Sequence, residues 1–205
     1  MRKQTSKSVS HSDKKDAIFL AAAKLFANEG FYRVSVREIC EAAGVTKPVL
    51  YYYFKDKESL LYELVQETTN IAQNLIRKHT AQEEDFRFFL KGIVNLYAEF
   101  ISKYPHLFRL AVFVQFMVVP ESVKNLKYEI DKKNMEEFDK RFRKAQEDGI
   151  LTKDAEPFLI AQNFLGTIII VVSNHIRSKS SYEQLFNELN KFYEFWINKF
   201  LVKKS

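Results

Sequence analysis

The stretch that most constrains the fold of this chain is Ser35–Phe54, with the sequence SVREICEAAGVTKPVLYYYF. Ser35 is followed three residues later by Glu38, which is the capping-box pattern that begins a helix. Apolar residues then recur with the spacing of one helical face. Gly44 can adopt the left-handed conformation that ends a helix. The stretch therefore opens with a short helix and a tight turn.

A second short helix is predicted directly after this turn. Thr46 is a good N-cap, and Pro48 is tolerated in a first helical turn. Two short helices joined in this way form a helix-turn-helix, whose second helix can enter the major groove of DNA. Lys47, Tyr51 and Tyr52 are predicted to face outward, where they can contact phosphate oxygens. The alternative is a small three-helix core with half-buried tyrosines, since this geometry also occurs without DNA binding.

The composition favours long helices with few breaks. The chain has only 5 glycines and 4 prolines in 205 residues, which is too few for the turns of an all-β fold. Its 46% hydrophobic and 28% charged residues are typical of a globular protein. The single cysteine, Cys40, excludes an internal disulfide and fits a reducing compartment. We therefore expect an all-α protein.

Positive charge is concentrated at the N-terminal end of the chain. Residues 1–57 contain 11 Lys/Arg and 6 Asp/Glu, whereas residues 58–205 contain 21 and 20. A basic region around the helix-turn-helix is the electrostatic footprint expected for a polyanion partner. Residues 1–12 are polar and basic, and we expect them to form a disordered tail.

The pattern of caps and apolar faces also predicts the domain organisation. The helix-turn-helix domain is expected to cover residues 13–57, and Asp56 is expected to cap a connecting helix at 58–78. Residues 79–205 are predicted to form a larger helical domain. The whole chain would then contain about nine helices.

Two predictions concern the last two helices. Phe158–Ile176 is the most apolar run, and Gln162 and Asn163 interrupt it, which argues against a membrane span. We predict a helix buried on every side there. Ser180 and Glu183 are predicted to form a second capping box, at the start of the last helix.

Several short motifs recur at fixed spacing in the N-terminal region. They are A-x-x-L-F at Ala22–Phe26, Gly30-Phe31, Val36-Arg37-Glu38-Ile39, Ala42-Ala43-Gly44-Val45, and the run from Leu50 through Tyr51-Tyr52-Tyr53-Phe54-Lys55-Asp56-Lys57-Glu58 to Leu60. Together these motifs make residues 16–62 resemble the DNA-binding domain of the TetR family of bacterial transcriptional repressors.

The resemblance implies which residues contact DNA. Carried over by position, the contacts fall on Ser35, Arg37, Thr46, Lys47, Pro48, Val49, Tyr51, Tyr52 and Lys57. Tyr53 stands where many members of the family have histidine. The resemblance also implies a cytoplasmic homodimer that binds a palindromic double-stranded operator, acts as a repressor and has no membrane partner.

In such proteins the larger domain usually encloses a small-molecule cavity. Fifteen of the 19 phenylalanines follow residue 80, and they predict either a filled aromatic core or the walls of a site for a hydrophobic effector. The candidate ligand-binding residues are Phe89, Tyr97, Phe100, Phe108, Phe113, Phe116, Asn163, Phe164 and Thr167. The two most apolar helices are predicted to form the dimer interface through Ile169, Val172, Phe192, Trp196 and Ile197.

No sequence motif points to catalysis. The chain lacks the nucleophile, metalloprotease and phosphate-loop motifs, and its four histidines lie in separate segments without ligand spacing. We therefore expect a regulator with no enzymatic activity, no cofactor and no metal. Two alternatives remain at this point: a helical module that binds hydrophobes or lipids, and a DNA-binding protein without a small-molecule effector.

Overall fold

The computed structural model describes residues 11–80 and 85–202, and within these ranges the chain forms nine α-helices and no β-strand. The helices are α1 (His11–Glu29), α2 (Val36–Ala43), α3 (Lys47–Tyr53), α4 (Lys57–Thr80), α5 (Phe86–Lys103), α6 (Pro105–Phe116), α7 (Glu121–Glu147), α8 (Pro157–Ser178) and α9 (Tyr182–Phe200). The all-α class and the expected number of helices are thus confirmed. Residues 1–10 of the predicted tail lie outside the described residues, and α1 begins at His11, within the predicted tail.

The helices group into two compact units. The N-terminal unit contains the described residues up to Thr68 together with Arg109–Lys127, and the second unit contains Thr69–Phe108 and the described residues from Tyr128 onward. The boundaries predicted from the sequence lie at residues 57 and 78. The division in the structure instead falls inside α4, and it assigns Arg109–Lys127 to the N-terminal unit.

The contacts of residues 109–127 explain their assignment. The Ser122 hydroxyl at the start of α7 donates a hydrogen bond to the Glu58 carboxylate of α4 at 2.5 Å. The ring of Phe113 in α6 lies against the backbone of Gly30, where an added Cβ would be 3.6 Å from the ring. Gly30 ends α1 with a φ of +92°, a conformation that favours glycine.

The N-terminal unit has a small apolar core in which α1 packs against α2 and α3. Its fully buried side chains include Ile18, Ala22, Phe26, Ile39, Leu50 and Phe54. The Phe19 and Phe54 rings lie 5.3 Å apart between centroids, and those of Phe26 and Phe31 lie 5.5 Å apart. This core holds the two helices of the helix-turn-helix on α1.

The core of the second unit is built around Trp196 of α9. The centroid of its ring lies 6.0 Å from that of Phe142, 5.0 Å from Phe164 and 4.9 Å from Phe200. Trp196 and Val172 are both fully buried within the protomer. These two residues therefore belong to the core, and their predicted role in the dimer interface is wrong because no side-chain surface remains for a partner.

Helix α8 is buried on one side only, so the prediction of burial on every side was wrong. Its inner side carries Ile160, Ala161, Phe164, Ile168 and Val172. Its outer side exposes Leu159, Gln162, Asn163, Ile170 and Asn174. By length and composition α8 could cross a membrane, but its buried apolar side chains pack inside the second unit.

The capping box of α9 lies one residue later than predicted. Ser181 is the N-cap and pairs with Gln184, whose side chain accepts a hydrogen bond from the Ser181 N–H at 2.9 Å. Ser180 instead places its hydroxyl 2.6 Å from Nδ1 of His175 in α8. The chain reverses at Lys179, which has a φ of +54°. This reversal moves the start of α9 by one residue, and the spacing of Ser and Glu in the sequence does not predict it.

Within the second unit, the last turn of α4 lies directly on α5 at Gly92. A Cβ built on Gly92 would overlap the carbonyl oxygen of His79 and lie 3.1 Å from Cγ2 of Thr80. Two turns further along α5, the Glu99 carboxylate pairs with Lys103, Lys78 and His79. Hydrogen bonds from Lys103 and Lys78 are the main reason that the pKa of Glu99 falls to about 2.

Replacing Gly92 should show how tight this contact is. We expect Gly92→Ala to lower the free energy of unfolding by about 1–3 kcal/mol, because backbone atoms of α4 must move to admit the methyl group. Ser102→Ala, at an exposed position of the same helix, is the matched control and should change stability by less than about 0.5 kcal/mol. Chemical denaturation measures both, and equal stabilities would contradict the close approach.

Candidate DNA-binding surface

The first helix of the helix-turn-helix begins with the predicted capping box. The Glu38 N–H donates to Oγ of Ser35 at 3.2 Å, and the Ser35 N–H donates to Oε2 of Glu38 at 2.7 Å. Hydrogen bonds to the Glu38 carboxylate, first from the Ser35 side chain and then from the Ser35 N–H, are the main reason that the pKa of Glu38 is lowered. The reciprocal pair satisfies two N–H groups at the helix terminus and defines where α2 starts.

The turn between the two helices depends on Gly44, which has a φ of +65°. At Gly44 the chain leaves α2, and the Val45 N–H donates to the carbonyl of Cys40 at 3.0 Å. Thr46 is the N-cap of α3, as predicted, but among the described residues its side chain makes no capping hydrogen bond. An N-cap side chain normally bonds to the N–H of the second or third helical residue. Pro48 occupies the second position of α3 and has no N–H, so one of these two donors is missing.

Helix α3 presents the predicted outward face. Leu50 and Phe54 are buried in the core of the N-terminal unit, whereas Tyr51 and Tyr52 are 51% and 69% exposed. Lys47 and Pro48 are also exposed, and residues at such spacing share one side of a helix. The Tyr52 ring packs edge-on against Tyr53 with centroids 5.0 Å apart, which limits its orientation.

The other predicted contacts lie at the start of α2 and in the turn. Ser35, Arg37 and Thr46 are exposed, and Val49 is half-buried. Nε of Arg37 pairs with Glu41 at 2.7 Å, and this hydrogen bond is the main reason that the pKa of Arg37 is raised. An exposed ion pair of this kind contributes little to stability, so the guanidinium can change partner at low cost.

Lys57 differs from the other predicted contacts because its ammonium group is directed into the protein. Nζ donates to the carbonyl of Phe31 at 2.8 Å and to that of Val34 at 2.7 Å. Burial lowers the pKa of Lys57. The acceptors lie 26 and 23 residues earlier in the chain, so spacing along α4 gave no sign of them.

The predicted ligand-binding residues are divided between the two units, and those of the second unit include members of two groups of aromatic rings. Phe89 and Phe164 belong to the aromatic core around Phe142 and Trp196. A separate group contains Tyr97, Phe100 and Phe108, with ring centroids 5.7 Å apart for Phe100–Phe108 and 6.2 Å for Tyr97–Phe108. Burial is the main reason that the pKa of Tyr97 rises to about 12.

The remaining predicted ligand residues lie elsewhere. Phe113 and Phe116 belong to the N-terminal unit, and Phe116 is 77% exposed. On α8, Asn163 is exposed and Thr167 is half-buried. Phe116 and Asn163 thus face solvent in the protomer and do not line an enclosed site there.

Two features were missed at the sequence level. The indole N–H of Trp196 is buried, and within residues 11–80 and 85–202 it has no hydrogen-bond acceptor. In addition, Leu159, Ile170 and Phe195 are exposed on α8 and α9, whereas Ile169 and Ile197, which were expected at the interface, are half-buried. Helical spacing shows which residues share a face, but when most faces are apolar it does not show which face points outward.

Comparison with known proteins agrees with the geometry of the N-terminal unit. Residues 18–64 match the family model for bacterial regulatory proteins of the tetR family. The chain is 25% identical over 115 residues to the HTH-type transcriptional activator FasR of Mycolicibacterium smegmatis, covering 56% of this chain and 52% of FasR. It is 35% identical over 101 residues to the HTH-type transcriptional regulator RutR of Escherichia coli K12, covering 48% of this chain and 46% of RutR. The chain thus spans about half the length of the curated relatives it matches.

Solved structures share the fold over nearly the whole chain. The fatty acid degradation regulator FadR of Bacillus halodurans has a TM-score of 0.73 at 23% identity, covering 96% of this chain and 98% of FadR. The ketosteroid transcriptional regulator KstR2 of Mycobacterium tuberculosis has a TM-score of 0.78 at 15% identity and 98% coverage of both chains. A protein from Saccharomonospora viridis in complex with choline has a TM-score of 0.73 at 18% identity, covering 94% of this chain and all 100% of the other.

The fold of the N-terminal unit and the outward face of α3 are those of a helix-turn-helix DNA-binding domain. The family match shows that residues 18–64 form a DNA-binding domain of the tetR family of bacterial regulatory proteins. The family and these relatives are transcriptional regulators and not enzymes.

Substitutions on α3 test the recognition face. We expect Lys47→Ala to weaken DNA binding and to reduce the slope of log affinity against log salt by about 0.9 per protomer, since one phosphate contact is lost. Tyr51→Ala should also weaken binding, while both variants retain the melting temperature of the wild type. Electrophoretic shifts at several salt concentrations measure the effect.

Lys132→Ala in α7 is the matched control, because it removes one exposed positive charge from the second unit. It should leave both the affinity and the salt slope unchanged. If Lys47→Ala and Tyr51→Ala bind DNA as the wild type does, the recognition face has been assigned wrongly.

Proposed function

We propose that the chain is a dimeric transcriptional repressor of the bacterial cytoplasm that binds a palindromic DNA operator. The observation that carries this proposal is the outward face of α3, where Lys47, Tyr51 and Tyr52 project from a helix anchored by Leu50 and Phe54. A single helix of this length reads few base pairs. Two copies about 34 Å apart, one turn of DNA, would read both halves of a palindrome.

Binding to DNA beside its own gene is the direct test of this proposal. Electrophoretic shifts should show tight binding that weakens steeply as salt rises, because phosphate contacts release counterions. A protein that binds lipids or other hydrophobes, but no DNA at any salt concentration, would instead be a helical hydrophobe-binding module. FasR, one of the relatives, is named as an activator, so a reporter gene must decide the direction of regulation.

The outer sides of α8 and α9 are the proposed dimer interface. Leu159 and Ile170 are exposed on α8, and Phe195 is exposed on α9. Between the two α8 residues lies Gly166, where nothing in the described part of the chain lies within 4 Å of an added Cβ. A glycine at this position allows a partner helix to approach closely, and pairing would bury the apolar side chains around it.

A charge in this surface should separate the protomers. We expect Ile170→Glu to give a monomer and to reduce operator affinity about 100-fold or more, because the two α3 helices no longer bind as one linked unit. Tyr128→Glu in α7 is the control, since Tyr128 is 63% exposed and Ile170 is 62% exposed. Light scattering and electrophoretic shifts measure both. A wild-type protein that is monomeric at micromolar concentration would refute the interface.

We also propose that a hydrophobic small molecule with a hydrogen-bond acceptor is the effector. The indole N–H of Trp196 is the supporting observation, because a buried donor without a partner costs about 1–3 kcal/mol. A ligand oxygen would satisfy it once the rings that enclose the indole move apart to admit the ligand. Phe142, Phe164 and Phe200 surround the indole with apolar rings. Structural neighbours named for fatty acid degradation and ketosteroids support a ligand of this chemical class.

The single tryptophan makes this proposal measurable. Fatty acids, sterols and aromatic carboxylic acids that bind should change the fluorescence of Trp196 and raise the melting temperature. An effector should also weaken operator binding by about 5- to 150-fold, and by linkage DNA should weaken ligand binding equally. Compounds that stabilise the protein without changing DNA affinity would indicate a passive site. The absence of any binder in this library would favour a regulator without an effector.

A further inference from the structure

Lys57 is a predicted DNA contact, but its ammonium group donates hydrogen bonds to backbone carbonyls within the N-terminal unit. It is the first residue of α4, where the free N–H groups of a helix terminus attract phosphate, and its position therefore predicted a phosphate contact. The structure directs the side chain towards the segment Gly30–Val34, which joins α1 to α2. That segment carries no residue of the recognition helix but determines where α2 begins.

Three groups surround the ammonium of Lys57. Two are the carbonyl oxygens of Phe31 and Val34, at 2.8 and 2.7 Å. The third is the ring of Phe31, whose centroid is 4.3 Å from Nζ, a favourable position for a cation over an aromatic face. The two hydrogen bonds are charge-assisted and are thus stronger than those between neutral groups.

The carbonyls that Lys57 binds belong to a segment whose first N–H, that of Gly30, donates to the carbonyl of Phe26 at 3.0 Å. The Val34 N–H donates to Gly30 over a long 3.4 Å, and the segment has no helical ladder. Phe31 and Val34 point their side chains into the core. Lys57 therefore adds the polar bonds that hold this backbone on α4.

The consequence concerns the start of α2. Val34, whose carbonyl accepts from Lys57, is followed directly by Ser35, the N-cap of α2. Ser35 forms the capping box with Glu38, and Arg37 lies in the same first turn. A backbone held at Val34 thus determines the position of the N-terminal end of α2, where Ser35 and Arg37 are predicted to contact DNA.

We propose that Lys57 is a positioning residue for DNA binding, which holds the Gly30–Val34 segment and the start of α2 and does not contact phosphate itself. This proposal rests on the proposed DNA-binding function. It differs from the phosphate contact that its place in the sequence predicts. The two roles differ in a measurable quantity, the number of phosphates that the protein neutralises.

The test is Lys57→Met, which keeps an apolar stem of similar length and removes the charged donor. We expect affinity for the operator at fixed salt to fall about tenfold, while the salt slope stays that of the wild type. Lys47→Ala is the comparison, since it should reduce the slope by about 0.9 per protomer. A slope for Lys57→Met that falls as much as that of Lys47→Ala would overturn the proposal.

Amide hydrogen exchange in the free protein provides a reading that does not depend on DNA. Exchange at residues 31–39 should become faster in Lys57→Met and stay unchanged in Lys47→Ala, because of these two lysines Lys57 is the one that bonds to this backbone. Wild-type exchange and affinity in Lys57→Met would overturn the proposal. If the wild-type protein bound no DNA, the proposed function would fail, and faster exchange would still identify the structural role of Lys57.

Lys57→Gln serves as the second variant if Lys57→Met does not fold, as judged by circular dichroism. Its amide retains a donor but is shorter and uncharged, so it should show an intermediate exchange rate and a salt slope equal to that of the wild type. A reduced slope in this variant would overturn the proposal in the same way.

Discussion

The DNA-binding surface depends on the burial of Leu50 and Phe54 against α1. Both side chains are fully buried or nearly so. Leu50 lies on the inner side of a helix that is only two turns long, and Phe54 is the C-cap of that helix. A helix this short is not stable by itself in water and depends on tertiary packing. Because its inner side is held, its other side must present Lys47, Tyr51 and Tyr52 to solvent. The direction of the recognition face is thus a consequence of core packing.

Helix α4 shows how one continuous element is held within each unit separately. In the N-terminal unit its first turn donates through Lys57 to the carbonyls of the α1–α2 segment. In the second unit its last turn lies against Gly92, and Lys78 and His79 pair with Glu99. Each end is therefore fixed by specific polar or close-packed contacts, beyond the general burial of apolar surface. Changes in either set of contacts would act on the same helix.

The aromatic residues of the second unit serve more than one structural purpose. Phe142, Phe164 and Phe200 form edge and tilted contacts with Trp196, geometries that add to the gain from burial. Tyr97, Phe100 and Phe108 form another group. Phenylalanine therefore contributes to the apolar core of the second unit and surrounds the buried indole N–H of Trp196. At Phe116, in the N-terminal unit, it is exposed on the surface. Composition cannot separate these uses, because all of them require the same apolar rings.

The sequence by itself determined the local features, whereas the tertiary structure decided the long-range ones. The capping box at Ser35 and Glu38 and the left-handed turn at Gly44 follow from short-range chemistry, and both were predicted correctly. The hydrogen-bond partners of Lys57 were not predicted, because they are distant in the chain. The burial of Val172 and Trp196 was not predicted either, because several faces of their helices are equally apolar. The shift of the α9 cap from Ser180 to Ser181 likewise depended on the chain reversal at Lys179. Spacing within a helix defines its faces, and only packing against other helices decides which face is buried.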